Sequence, residues 1–206
     1  MFILKKMMKR VGICLLIAAL FWCGSLISDR ERLNQELIRL HVVAASDSAV
    51  DQAAKLRVRD AVLQSLKEGL EQTADVEAAK AYIQENLPKI QKAANHALAE
   101  AGVDARAVAS FCRERFDTRA YDTFTLPAGV YESLRIVIGP GEGHNWWCVA
   151  FPTLCLPATS SGFQEVAQAS GFPDSLTNAL AGEEPYTVRF YLLDVMGRLE
   201  NTLFVD

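Results

Sequence analysis

The segment Gly139-Pro140-Gly141-Glu142-Gly143-His144-Asn145-Trp146-Trp147-Cys148-Val149-Ala150-Phe151-Pro152-Thr153-Leu154-Cys155 puts three glycines, paired tryptophans and two cysteines into one short stretch. Glycines at alternate positions permit backbone angles and close approaches that a Cβ forbids, so the segment reads as a tight turn entering a strand over Asn145 to Phe151. On an extended backbone successive side chains point to opposite faces, which sends Trp146 and Trp147 to different sides of a sheet. One ring can then anchor in the core while the other lies at the surface as a contact, each offering a large apolar body with a polar tip.

Upstream, Val130 to Ile138 reads as a strand with Val130, Leu134, Ile136 and Ile138 on one face, entered through a turn at Pro127 to Gly129, and Val108 to Phe116 reads as another. The first strand is Leu37 to Ala45, with Val42 and Val43 at its centre. Ser46, Asp47 and Ser48 mark a turn and helix cap, with Asp51 completing a capping pair with Ser48. The helix that follows sets Val58, Val62, Leu66 and Leu70 four residues apart and leaves Lys55, Arg59 and Asp60 on flanking faces. A second helix begins near Asp75 and ends by Gly102, its stripe running through Val76, Ala79, Ile83, Leu87, Ile90, Ala94 and Leu98. Pro88 predicts a kink or a division into two consecutive helices. Residues 157–185, rich in Ser, Gly and Pro, read as a surface excursion with at most a short helix, and Tyr186 to Phe204 as a strand through Leu193 that finishes as a helix. Helices grouped early and strands grouped late predict an α+β fold, two helices packed on a mostly antiparallel sheet.

The N-terminus stands apart. Lys5, Lys6, Lys9 and Arg10 precede an uncharged run from Val11 to Ser28, which as a helix reaches about 27 Å. Residues 1–28 therefore read as a signal peptide or N-terminal membrane anchor, with the basic lead kept inside and the remainder exported. Residues 29–36 read as a charged tether, and 37–206 as a single domain. Trp22 before Cys23 excludes a lipid-attachment signal, which needs a small residue there. Four of the 21 basic residues and none of the 25 acidic ones precede Asp29, so the exported part carries a net charge of −8. That charge excludes nucleic acid as a partner.

Export permits a disulfide. Cys148 and Cys155 lie seven residues apart with Pro152 between them, and either bond to each other or remain as two buried thiols. An extracytoplasmic cysteine hydrolase would use Cys148 as nucleophile and His144 as base, with Asp47 or Asp60 orienting it. A histidine four residues before a cysteine on an extended strand, however, lies beyond hydrogen-bond reach. Zinc held by His41, His144, Cys148 and Cys155 would need sulfurs more widely spaced than usual. Gly139, Gly141 and Gly143 lack the lysine and helix start of a phosphate loop. His96 reads as a solvated helix residue. No cofactor, metal or catalytic residue is expected. The class favoured is a binding module in which His41, Asp47, Arg59, Asp60, His144, Asn145, Trp146 and Trp147 frame an aromatic anchor of the kind that dominates interfaces.

Two blocks resemble the stage II sporulation protein R family. The first is Arg39-Leu40-His41-Val42-Val43-Ala44-Ala45-Ser46-Asp47-Ser48 with Asp51-Gln52, Lys55 and Val58-Arg59-Asp60-Ala61-Val62. The second joins Leu126-Pro127-Ala128-Gly129-Val130-Tyr131-Glu132 to Asn145-Trp146-Trp147-Cys148 and on through Cys155. Ala45 stands where asparagine is common, and Thr153 replaces a second proline. The resemblance implies a signalling protein exported from the forespore into the space between the forespore and mother-cell membranes. There, proteins of this family activate stage II sporulation protein GA, a membrane-embedded aspartic protease that cleaves the sigma-E precursor. It implies a ligand, not a hydrolase.

Overall fold

The computed structural model describes residues 2–152, 162–183 and 187–204. Its centre is a four-stranded sheet in the order β2-β5-β1-β6, made of β1 (Ile38–Val43), β2 (Ala107–Phe116), β5 (Gly129–Ile138) and β6 (Asn145–Phe151). β1 runs parallel to β5 and antiparallel to β6, and β2 runs antiparallel to β5. The class is α+β with a mostly antiparallel mixed sheet, as the element order predicts. A small ribbon, β3 (Arg119–Ala120) with β4 (Thr125–Leu126), links β2 to β5.

One face of the sheet carries α2 (Ala49–Glu71), α3 (Val76–Glu85) and α4 (Leu87–Glu100). Ser48 caps α2, its side chain accepting from the Asp51 amide at 3.1 Å, and Asp75 caps α3 through the Ala78 amide at 2.9 Å. Each such cap supplies about 1 kcal/mol. The apolar stripe supplies more: Val58, Val62, Leu66 and Leu70 are buried against Ile38, Leu40, Val42, Leu134, Ile136 and Ile138, at about 1.5–3 kcal/mol for each large side chain. Pro88 divides the second helical stretch, α4 beginning one residue before it. The Asn95 amide clamps α4 to the sheet, donating to Ala107 O at 3.0 Å and accepting from Ala107 N at 2.9 Å.

The other face is also covered, and here the structure departs from the sequence-based expectations. Residues 29–36, expected as a tether, are the last turns of α1 (Phe2–Glu36), and they bury Asp29, Arg30 and Leu33 against the domain. Arg189 pairs with Asp29, while the Arg30 guanidinium and the Asn34 amide donate to Glu200 at 2.5 and 2.9 Å. Those partners lie far away in the chain, so local composition gives no hint of them. The expected loose excursion holds α5 (Gly162–Ala169) and α6 (Asp174–Leu180), with Phe163, Phe172, Leu176 and Leu180 buried; residues 157–161, 184 and 185 lie outside the described residues. The expected strand through Leu193 is instead helical, α7 (Thr187–Leu203). Its first turns are apolar on more than one side, which hides the helical period. Helices α1, α5, α6 and α7 thus form a third layer around Leu37, Phe116, Tyr131 and Val149.

Asp194 joins α7 to the rest of the molecule. Its carboxylate accepts from the Thr118 hydroxyl, from the Ala128 amide at 2.9 Å and from Arg198 Nε at 2.8 Å. Burial pushes its pKa up, but these hydrogen bonds and the Arg198 charge outweigh burial and hold it below the ordinary carboxylate value. Because the folded value is the lower one, the stabilisation is complete above the unfolded value of about 3.9 and is lost as pH falls through the folded value. Asp194→Ala should cost about 2 kcal/mol, the penalty for leaving a buried amide without its acceptor. Urea unfolding at pH 7 measures this, and the difference from the parent should shrink in acid below the folded value. Deleting residues 2–25 should leave the domain folded, whereas deleting 2–36 should lower its thermal midpoint sharply by removing Leu26, Asp29 and Leu33.

Candidate functional site

The glycine segment crosses the end of β1. β5 finishes at Ile138 beside β1, yet β6 pairs with the opposite edge of β1, so residues 139–144 must pass over the β1–α2 junction. Gly139 and Gly141 adopt φ of 56° and 69°, angles that L side chains rarely take. A Cβ on Gly143 would collide with the Ser46 carbonyl. The Gly139 amide donates to Arg106 O at 2.9 Å and the Gly143 amide to Ala44 O at 3.0 Å, which pins the crossing.

That crossing sets His144 against Asp47. Asp47 Oδ1 accepts from the His144 amide at 2.6 Å and meets His144 Nδ1 at 2.5 Å. The hydrogen bond from the His144 ring, then that from its amide, holds the Asp47 carboxyl below its ordinary pKa. Lys55 lies beneath, 5 % exposed, donating to His144 O at 2.9 Å and to Gln52 Oε1 at 2.6 Å. Burial lowers the Lys55 pKa, and the Asp47 charge offsets part of this. One turn further along α2, the Arg59 guanidinium lies 4.3 Å above the Trp146 ring and pairs with Asp60 at 2.7 Å. Trp146 is 36 % exposed and the His144 side chain 81 % exposed. The result is an aromatic and cationic platform edged by carboxylates, on a junction held by backbone hydrogen bonds.

Trp147 and His41 belong to the other face. Their rings stack at 5.5 Å and 16°, and the Arg119 guanidinium covers Trp147 at 3.7 Å. His41 Nδ1 meets Glu114 Oε2 at 3.0 Å. Burial raises the Glu114 pKa, but the hydrogen bond from His41 and the nearby Arg135 charge outweigh it and leave a lowered value. Asn145 shares the Trp147 side by strand alternation. The eight residues read from the sequence therefore form two groups: Asp47, Arg59, Asp60, His144 and Trp146 on the α2 side, and His41, Asn145 and Trp147 on the other. Sequence reasoning missed Glu114 and Arg119 as partners of the second group, and it placed Lys55 on a flanking helix face, where the structure buries it. The available signal was Glu114 itself, the one acid in β2, set two residues before Phe116 on the same face of the strand.

Cys148 is disulfide-bonded and buried, which removes the thiolate on which a hydrolase with Cys148 as nucleophile would depend. Its proposed partner Cys155 lies outside the described residues, and Cys14, Cys23 and Cys112 are free thiols. Among the described residues no group of three His, Cys, Asp or Glu side chains converges as a metal site. His41 and His144, the two histidines of the zinc set, face opposite sides of the sheet.

The chain matches the family model for stage II sporulation protein R over residues 34–161. Stage II sporulation protein R of Bacillus subtilis (strain 168) is 35% identical over 130 residues, covering 63% of this chain and 58% of that relative. No solved structure matches the chain. The matched span takes in the whole sheet, the α2–α4 layer and the crossing that joins Asp47 to His144, and stops short of α5. With well over half of its length inside that match, including every residue of the platform, this chain belongs to the stage II sporulation protein R family.

Proposed function

We propose that this protein is an exported sporulation signal, a ligand that activates the membrane-embedded aspartic protease stage II sporulation protein GA and so starts processing of the sigma-E precursor. The observation that carries this reading is the Arg59–Trp146 platform, an exposed aromatic and cation pair on a hydrogen-bonded junction, in a chain of a sporulation family. Helix Lys6–Glu36 is long and apolar enough to cross a membrane, which supports a place at the forespore membrane facing the mother cell. A ligand switches such a protease only by binding its active arrangement more tightly than its resting one. An exposed Trp held under an Arg suits that task, because such anchors carry most of an interface's energy and need little ordering on binding.

Co-expression with the protease and the sigma-E precursor tests this. The exported chain should trigger cleavage, and a version lacking residues 2–25 and kept in the cytoplasm should not; cleavage without export would remove the intercompartmental role. Trp146→Ala and Arg59→Ala should each weaken protease binding by about 30-fold, the effect of losing a hot-spot contact of about 2 kcal/mol, while the thermal midpoint stays near that of the parent. Trp147→Ala should instead lower the midpoint, because that ring is packed between His41 and Arg119. Full activation by a folded Trp146→Ala, Arg59→Ala double variant would take the platform out of the interface.

A further inference from the structure

Helix α7 presents two apolar faces, and among the described residues only one of them is packed against the rest of the molecule. With Arg189 set at 0° and about 100° per residue, Glu200 falls near 20°, and both point at α1, pairing with Asp29 and with Arg30 and Asn34. Phe190, Gly197 and Asp194 fall between about 80° and 140°, facing the turn before β5, where Asp194 accepts the Ala128 amide and Gly197 lies against the Ala128 carbonyl. Val188, Tyr191, Val195 and Leu199 fall between about −80° and −160°, on the opposite side. Val188, Tyr191 and Leu199 are 57, 66 and 60 % exposed.

The direction of that stripe follows from α1. Contacts eleven residues apart on α7 converge on the short stretch Asp29 to Asn34, so the two helices cross steeply. For such a crossing, the sides of α7 a quarter turn from the contact look along the axis of α1, one toward its N-terminus and one toward its C-terminus. The folded domain occupies the C-terminal side, because α1 is bare before Leu26, with Ile17, Leu20, Phe21 and Trp22 exposed. The stripe therefore looks back along the apolar part of α1.

We propose that α7 is an interfacial helix whose Val188, Tyr191, Val195 and Leu199 stripe seats on the lipid surface, holding the domain flat against the bilayer that α1 enters. The seating rests on the reading of α1 as a membrane span. The bilayer is the occupant because α1 is one continuous helix from its apolar run into the buried contacts at Asp29 and Arg30; no flexible linker separates span from domain. A helix with one face in its own protein and an apolar stripe beside an anchor buries that stripe among headgroups and upper acyl chains. Tyr191 has the amphipathic ring favoured at that depth.

The test uses the full chain in vesicles of phosphatidylcholine and phosphatidylglycerol, with nitroxide labels read for collision with oxygen, which concentrates in lipid, and with a water-soluble nickel chelate. In a background of Cys14→Ala, Cys23→Ala and Cys112→Ser, labels are placed at Val188→Cys and Leu199→Cys, with Asp60→Cys as the aqueous reference. Cys23, retained in a parallel variant, is the reference within the span. The expected result is an oxygen-to-nickel ratio at 188 and 199 several-fold above that at 60 and below that at 23. If 188 and 199 match 60 while 23 reads as lipid, the seating is wrong and the span stands. If 23 also reads as aqueous, both are wrong. Shielding of 188 and 199 from both probes would mean that a second copy or another protein covers the stripe, and would overturn the lipid assignment.

Discussion

Complete burial of β1 is the constraint on which the rest of the molecule depends. All six of its residues are buried, because the strand is flanked by β5 and β6 and covered above and below. Covering one face needs the α2–α4 layer, to which Ile38, Leu40 and Val42 are well suited. The other face bears Arg39 and His41, and a central strand carrying these two would be costly unless each charge or polar atom found a partner. Arg39 is fully buried, and among the described residues no carboxylate pairs with it. Its guanidinium instead lies 4.3 Å over Phe116 and 5.2 Å from the Tyr131 ring, and donates to the Tyr121 hydroxyl at 2.7 Å. Such contacts, at about 2 kcal/mol each when desolvated, replace much of the lost hydration. Tyr121 and Phe116 come from the β2–β4 region and Tyr131 from β5, so this one side chain ties three elements to β1.

Much of the fold was legible in the sequence because its period is simple. Valines and leucines four apart announced α2, alternation announced β5, and proline announced the break before α4. The paired tryptophans were assigned to opposite faces correctly, since alternation along a strand is a local property. The third layer was not legible. Asp29 and Arg30 look like the polar end of a leader until their partners, Arg189 and Glu200, are known, and these lie 160 and 170 residues away. The start of α7 reads as a strand because a helix with two apolar faces shows no clean stripe.

The site was half legible for the same reason. Residue types that suit an interface were visible, but not their partition, which is set by register: Trp147 is opposite His41 and Trp146 opposite Val42. Nor could spacing show that Asp47 and His144, 97 residues apart, would meet. That meeting is a consequence of topology. Strand β6 must reach the far edge of β1, the crossing must pass over Ala44 to Ser46, and only glycine at 143 lets the backbone come that close.

The same crossing suits a surface built partly from a loop to the proposed role of a recognition element. Loops usually lose conformational freedom on binding, at a cost of about 1–2 kcal/mol per residue fixed. Here the freedom is already spent in folding: Asp47 holds both the ring and the amide of His144, Lys55 holds its carbonyl, and the next residues enter β6. The sharing of Arg59 between Trp146 and Asp60 orients the cation in the same way. A partner meeting this platform gains contacts without having to order it, so small differences in the partner's own shape translate directly into differences in affinity. The proposed role, discriminating two arrangements of one protease, would require that property.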